Sequence, residues 1–186
     1  LEAMAAGRVS VDGTSHPLPS PFLVIATQNG LEQGGTSPLP ESQLVRFLMR
    51  LSLGFPPRTA ERSLLSGASL RPDSLESGLR PEDLLQLQKR VESLYCSPAL
   101  LDYVLDLLAS SREPGRRGYP LSPRAGLGLL AAAKAWAVLL GRDHVIPDDV
   151  QALLPAVCEH RLAGGHAGSV DGEMSMTLLN SVEGLR

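Results

Sequence analysis

The chain of 186 residues carries 17 basic and 20 acidic side chains, and its formal net charge of −3 argues against a nucleic-acid-binding protein. Its hydrophobic fraction of 43% excludes wholesale disorder, and its aromatic fraction of 4% predicts a core of Leu, Ala and Val, which favours helices. Because it has two cysteines without a CxxC spacing, no signal peptide and no run of about 18 apolar residues, we expect a cytoplasmic protein with reduced thiols and no membrane span.

The first third of the chain is predicted to mix helix and strand. Residues 1–6 resemble the last turns of a helix that Gly7 ends, and the Asp12-Gly13 pair predicts a two-residue β-hairpin. The apolar run at 22–26 is typical of a strand buried on both faces. Polar residues at 27–30 follow it, at the carboxyl edge where open α/β sheets bind ligands.

The rest of the chain is predicted to be almost wholly helical. A short helix over 40–49 and a strand over 51–55 end the mixed part. Five further helices are predicted near 58–66, 81–95, 98–111, 122–141 and 147–162, four of them with a proline near the start. From Gly164 the sequence is polar and Gly-rich, so we expect a weakly ordered tail with one apolar stretch at 174–179. The predicted domains are therefore a partial α/β core (1–56), a helical domain (57–163) and a tail (164–186).

Several short motifs resemble those of the MoxR family of AAA+ ATPases, in the same order and at plausible spacing. They are ATQN at 26–29, EQ at 32–33, GT at 35–36, PLPE at 38–41, LVRFLM at 44–49, SPRA at 122–125, GRD at 141–143 and PDDV at 147–150. The resemblance covers about residues 1–162. It implies the C-terminal part of an AAA+ α/β core with a β-hairpin insert, followed by an all-α helical lid domain.

The resemblance also implies a function. MoxR-type proteins form rings, here expected to be hexameric homo-oligomers, in which ATP hydrolysis drives chaperone-like remodelling or maturation of client proteins. Their partners commonly carry von Willebrand factor A domains. The cofactors would be ATP and Mg²⁺, with most ligands of both outside this chain. The alternative is a non-enzymatic helical interaction module of ATPase ancestry.

Asn29 matches the sensor 1 position, which orients the attacking water beside the γ-phosphate. A neutral amide suits this task because it donates to a phosphate oxygen and accepts from water without adding charge. The plainer reading is an Asn that satisfies a turn at the end of a strand.

Arg46 matches the arginine finger, which reaches the nucleotide of a neighbouring subunit and neutralises charge that develops in phosphoryl transfer. A cation between Val45 and Phe47 in an apolar helix either projects into an interface or pairs locally, with Glu41 or Glu61. Family members usually carry an acidic residue where this chain has Val45, so a possible orienting partner of the finger is missing.

Arg124 matches sensor 2, which lies on the lid. Ser122 is expected to cap a helix and Pro123 to be its first residue, which places Arg124 in the first turn. The helix dipole there favours anions, so an arginine beside free backbone N–H groups is suited to bind phosphate. A surface arginine without a ligand is the alternative.

Three other features are less specific. The hairpin around Asp12-Gly13 matches an insertion that faces the central channel in related rings, although its tip has no aromatic or basic group to grip a polymer. Glu41 matches a family position but also suits a helix start. Glu32 matches another position of the family motifs and could contact a neighbouring subunit. A metal site built from Cys158, His160 and His166 is conceivable, but the glycines at 164 and 165 give it no helical rigidity, so no metal ligands are proposed.

The phosphate-binding motifs are absent from the sequence. A P-loop needs G-x-x-x-x-G-K-[ST], and neither of the two lysines, Lys89 and Lys134, follows such a loop. Asp102 and Asp106, the candidates for a Walker B pair, fall in a predicted helix. We therefore expect the intact protein to be the ATPase and this chain alone to be inactive. We also expect unpaired edges at 22–27 and 51–55, because the strand that normally lies between them is missing.

Overall fold

The computed structural model describes residues 2–28, 41–67, 78–164 and 172–182. Within these ranges the chain forms helices and one two-stranded antiparallel sheet. The elements in chain order are α1 (Glu2–Ala6), β1 (Arg8–Val11), β2 (Thr14–Pro17), α2 (Glu41–Leu44), α3 (Arg58–Leu65), α4 (Pro81–Ser93), α5 (Pro98–Ser110), α6 (Pro123–Leu139), α7 (Pro147–Leu162) and α8 (Glu173–Ser181).

The predicted β-hairpin is present. Its two strands pair in register from Arg8 opposite Pro17 to Val11 opposite Thr14. The turn residues Asp12 and Gly13 have φ values of 50° and 79°, which Gly adopts readily and Asp tolerates. Both strands are exposed on all sides.

Local sequence signals explain where the longer helices begin. Each of α4, α5, α6 and α7 has proline at its start, where the missing N–H costs nothing. Two of these helices also have a serine N-cap: the Oγ of Ser97 accepts from the Leu100 N–H at 3.2 Å, and that of Ser122 from the Ala125 N–H at 3.3 Å. The starts predicted from the sequence are confirmed for all four.

The hydrophobic core lies among α5, α6 and α7 and consists mainly of Leu, Val and Ala. Residues exposed by no more than 1% include Leu100, Leu107, Ala125, Leu129, Ala133, Ala137, Val150, Leu154 and Val157. Because α6 contributes mostly alanines, α7 can pack closely along it. The composition-based prediction of a core built mainly from Leu, Ala and Val therefore holds here, and Tyr103 is a buried aromatic residue within it.

A buried ion pair joins the loop after α6 to the start of α7. Asp149, which is 2% exposed, accepts from both Nη atoms of Arg142, with the Nη1 contact at 2.7 Å, and from the Ile146 N–H at 3.0 Å. Burial opposes ionisation of Asp149, but the hydrogen bonds and charge of Arg142 leave its pKa below the ordinary value. The link holds α7 at a set position relative to α6.

The C-terminal segment differs from the weakly ordered tail that we expected. Residues Glu173–Ser181 form α8, and Leu178 is 1% exposed in the core. The buried carboxylate of Glu159 on α7 accepts from the N–H groups of Met174 at 3.2 Å and Ser175 at 2.8 Å. A carboxylate at the N-terminal end of a helix is favoured by the helix dipole, so α7 supplies the cap that α8 lacks in its own sequence.

Two predicted strands are not formed among the described residues. Residues 22–26 and 51–55 belong to no β-ladder, and several of their side chains are largely exposed, such as Ile25 at 79% and Leu53 at 97%. The apolar pattern of a strand does not make a strand unless another segment lies beside it. This agrees with the expectation that both stretches lack a partner.

The structure has no helix long and apolar enough to cross a membrane within residues 2–28, 41–67, 78–164 and 172–182.

Replacement of Glu159 by Ala should lower the free energy of unfolding of the chain by about 2 kcal/mol, because two N–H groups at the start of α8 lose a charged acceptor. Urea unfolding monitored by circular dichroism measures the change. Glu92→Ala, at an exposed position of α4, is the matched control and should be neutral. An equal effect of the two substitutions would contradict the capping role of Glu159.

Candidate functional site

The candidate site comprises Asn29, Arg46 and Arg124. Asn29 lies outside the described residues, as does Glu32, so their positions stay predictions. Thr27 and Gln28, which precede Asn29, are exposed.

Arg124 occupies the first turn of α6, as predicted. Ser122 is the N-cap, Pro123 the first helical residue and Arg124 the second. The side chain of Arg124 is exposed, whereas Pro123 has no N–H and the Ala125 N–H donates to the Ser122 Oγ. The helix dipole and the guanidinium together give this end of α6 a positive potential that is accessible to an anion.

The segment that carries Arg46 differs from the predicted helix over 40–49. Helix α2 ends at Leu44, and the chain continues in tight turns: the Arg46 N–H donates to the Gln43 carbonyl at 3.1 Å, and the Phe47 N–H to the Leu44 carbonyl at 3.1 Å. Arg46 is partly exposed. The carbonyl groups that follow Leu44 accept hydrogen bonds from a side chain of α7 instead of from N–H groups four residues later, so they do not continue the helix.

Arg161, near the end of α7, binds the segment that surrounds Arg46. Its Nη2 donates to the carbonyl of Phe47 at 2.8 Å and approaches that of Val45 at 3.4 Å, and its Nη1 donates to the carbonyl of Leu48 at 3.0 Å. Nη1 also donates to the carbonyl of Val157 on its own helix. Arg161 is only 8% exposed, so these contacts take place away from water.

The residues after Phe47 extend the contact with the helical domain. The Arg50 N–H donates to the carbonyl of Ala156 on α7 at 2.8 Å, and Met49 packs against the core. Leu48 lies over Gly128 of α6, where a Cβ would be 3.2 Å from the Leu48 Cδ1. Residues 45–50, which we call the finger segment, are thus bound to α6 and α7 through both main chain and side chains.

The buried guanidinium that binds the finger segment also experiences the charge of Arg124. Burial lowers the pKa of Arg161, and the charge of Arg124 lowers it further. Arg161 remains protonated, because arginine does not lose its proton in proteins. The first turn of α6 and the finger segment are therefore linked electrostatically through Arg161.

His160 and Cys158 precede Arg161 on α7, and both side chains are buried. Burial lowers the pKa of His160 to about 4, and the charge of Arg161 adds to the effect. Burial raises the pKa of the Cys158 thiol to about 12, which keeps it protonated and unreactive. Among the described residues no group of three or more His, Cys, Asp or Glu could hold a metal ion.

Two arginines of the loop between α5 and α6 form hydrogen bonds that stabilise the loop. Arg112 donates through Nε to the Leu121 carbonyl at 2.9 Å, and Arg116 donates through Nη2 to the Ser110 Oγ at 2.7 Å. These contacts hold the chain that leads into α6 and so help to place Arg124.

Sequence reasoning did not identify Arg161 as a functional residue. A cation in the last turn of a helix is expected from the helix dipole alone, so its position carries no special signal. Its partners are main-chain carbonyls 113 and 114 positions earlier, and no side-chain pattern marks such acceptors.

Two family models match the chain. Residues 1–49 match the ATPase family associated with various cellular activities (AAA), and residues 114–181 match the AAA lid domain. The second match includes Arg124, Arg161 and helix α8. The first includes Asn29 and Arg46.

Curated relatives of the chain include proteins from three bacteria. The chain is 40% identical over 171 residues to the chaperone MoxR1 of Mycobacterium tuberculosis, a match that covers 87% of this chain and 45% of that protein. It is 40% identical over 164 residues to the uncharacterized protein YeaC of Bacillus subtilis, covering 87% and 51%. The protein MoxR of Paracoccus denitrificans is 33% identical over 160 residues, covering 75% and 47%. The chain thus spans about half the length of these relatives.

A solved structure has a similar fold. The crystal structure of a candidate ATPase from Cytophaga hutchinsonii superposes with a TM-score of 0.83 at 29% sequence identity. The superposition covers 98% of this chain and 60% of that chain.

The buried imidazole of His160 should make the stability of the chain depend on pH. The group titrates near 6.5 when the chain is unfolded and near 4 when it is folded, so between these values only the unfolded state binds the proton. The free energy of unfolding should therefore be highest above pH 6.5, where His160 is neutral in both states. It should fall by about 2 kcal/mol as the pH drops towards 4. Asp149, with its lowered pKa, adds a loss only at more acidic pH, below 3.8.

Urea unfolding between pH 7 and pH 4.5 measures this dependence. His160→Leu should flatten it, whereas His16→Leu on the exposed hairpin should leave it unchanged. An unaltered slope in His160→Leu would mean that another group is responsible.

Proposed function

Because this chain belongs to the MoxR family of AAA+ ATPases, we propose that it works in a ring that couples ATP binding and hydrolysis to the remodelling or maturation of client proteins. The comparisons confirm the fold class predicted from the motifs, which is a partial AAA+ core with a hairpin followed by a helical lid. The chaperone-like role is supported by the 40% identity to MoxR1, a protein named as a chaperone.

The observation that best supports nucleotide chemistry is the position of Arg124. An exposed guanidinium in the first turn of a helix of 17 residues combines two sources of positive potential at one point. Such an arrangement costs stability unless an anion neutralises it. A nucleotide phosphate is the anion that the family provides.

The proposed division of roles follows from the chemistry of each side chain. Asn29 orients the attacking water beside the γ-phosphate of its own subunit through its amide. Arg46 reaches the nucleotide of the neighbouring subunit and stabilises negative charge on the transferring phosphoryl group. Arg124 binds phosphate from the lid. Most ligands of ATP and Mg²⁺ are proposed to lie outside this chain.

The larger assembly remains part of the proposal. A ring of identical subunits is required if Arg46 is to act on a neighbour, and a hexamer is the expected size. Client proteins, including those with von Willebrand factor A domains, are proposed partners, and the cytoplasm is the proposed location. The domain limits at 56 and 163 are likewise predictions.

Replacement of Arg46 by Ala in the full-length protein should reduce kcat for ATP hydrolysis roughly a thousandfold, because the transition state loses its positive charge in trans. ATP binding should stay the same, since the finger contributes to the transition state rather than to the ground state. Steady-state hydrolysis and titration with a fluorescent ATP analogue measure the two quantities. Arg62→Ala, at an exposed position of α3, is the control. Normal kcat in Arg46→Ala would exclude the finger role.

Replacement of Arg124 by Ala should weaken ATP binding by roughly tenfold to a hundredfold, the loss expected for a charge-assisted contact to phosphate. Arg124→Lys should recover part of the affinity because it keeps the charge but not the fork of donors. Titration with the same ATP analogue measures both. If affinity and kcat were unchanged in Arg124→Ala, Arg124 would be an ordinary surface residue.

A further inference from the structure

We infer that Arg161 is a positioning residue for the arginine finger: it holds the main chain on both sides of Arg46 against the lid and so sets where the finger points. The inference rests on the proposed role of Arg46. It differs from that role because Arg161 donates to main-chain carbonyls, whereas Arg46 would act on phosphate.

The contacts of Arg161 are unusual for a residue in the last turn of a helix. A cation there can serve the helix dipole by lying near the final carbonyls of its own helix. Arg161 makes one such contact, to the carbonyl of Val157. Its other hydrogen bonds from the guanidinium go to the carbonyls of Val45, Phe47 and Leu48. The side chain is thus committed to a segment that is more than a hundred positions away in the sequence.

The acceptors lie immediately around Arg46. Val45 precedes it and Phe47 follows it, so the carbonyls of both neighbours are directed towards one guanidinium. With the carbonyl groups on either side of Arg46 held, the direction in which its side chain leaves the backbone is restricted. The Arg50 N–H bond to Ala156 and the contact of Leu48 with Gly128 restrain the following residues on the same two helices.

The chemistry makes Arg161 hard to replace. A buried arginine needs several acceptors to offset the loss of its hydration, and carbonyls that have left a helix need donors. One guanidinium satisfies both needs with charge-assisted hydrogen bonds. A lysine keeps the charge but presents it at a single point, so it cannot reach Phe47 and Leu48 in the same geometry.

The effect on catalysis can be separated from an effect on folding. Misplacement of a catalytic group by about 1 Å costs up to about a hundredfold in rate. Arg161→Gln in the full-length protein should therefore lower kcat between tenfold and a hundredfold, whereas KM for ATP should stay within roughly twofold, since ATP contacts other residues. Arg90→Gln, on the exposed face of α4, is the matched control and should hydrolyse ATP at the normal rate.

A double-mutant cycle identifies the route of the effect. If Arg161 acts through Arg46, Arg46→Ala combined with Arg161→Gln should be no slower than Arg46→Ala alone, because the finger is already absent. Losses that multiply would show that Arg161 acts elsewhere and would overturn the inference. Full activity of Arg161→Gln beside an impaired Arg46→Ala would overturn it too. If Arg46→Ala itself retained normal kcat, the failure would be that of the proposed finger role.

Hydrogen exchange gives a readout that does not depend on activity. In Arg161→Gln, amides of residues 45–50 should exchange faster, among them the Arg50 amide that is bonded to Ala156, while amides of α4 should be unchanged. Unaltered exchange over 45–50 would contradict the inference. Should Arg161→Gln not fold, Arg161→Lys replaces it in all three experiments, with the same expected direction and a smaller loss.

Discussion

The central constraint in this structure is the need of a buried guanidinium for hydrogen-bond acceptors. Arg161 lies in the interior near the end of α7, where burial makes an unpaired charge very costly. The acceptors come from the main chain of residues 45–48, which leave helix α2 and expose their carbonyls to the interior. The hydrogen bonds of this one side chain thus occur where α2 has ended, and they hold the finger segment against α7.

Two other buried charges on α7 act in the same manner. Asp149 at its start is bound by Arg142 and by the Ile146 N–H, which joins α7 to the loop after α6. Glu159, near its end, caps α8. Helix α7 is thus joined to the loop after α6, to α8 and to the finger segment. The charged side chains that join them are bound mainly to backbone groups. Because such bonds are directional, they specify the arrangement of segments that apolar packing alone would leave less well defined.

Elements with a local cause could be predicted from the sequence, and elements with a distant cause could not. The hairpin follows from Asp12-Gly13, and the helix starts follow from proline with a serine cap, so both are found where expected. The first turn of α6, and with it Arg124, was located in the same way. The stretches at 22–26 and 51–55 have the composition of strands but no neighbour to pair with, and α8 depends on a cap from Glu159. Arg161 could not be found either, because main-chain acceptors leave no mark in a sequence.

The choice of main-chain acceptors has a consequence for how freely this region can vary. Arg161 binds carbonyl oxygens, which every amino acid possesses, so these hydrogen bonds do not depend on the side chains at positions 45 and 47. Val45 is compatible with these hydrogen bonds for this reason. Preservation of these hydrogen bonds depends on the arginine at position 161, whereas a substitution at position 45 or 47 that keeps the backbone conformation is compatible with them.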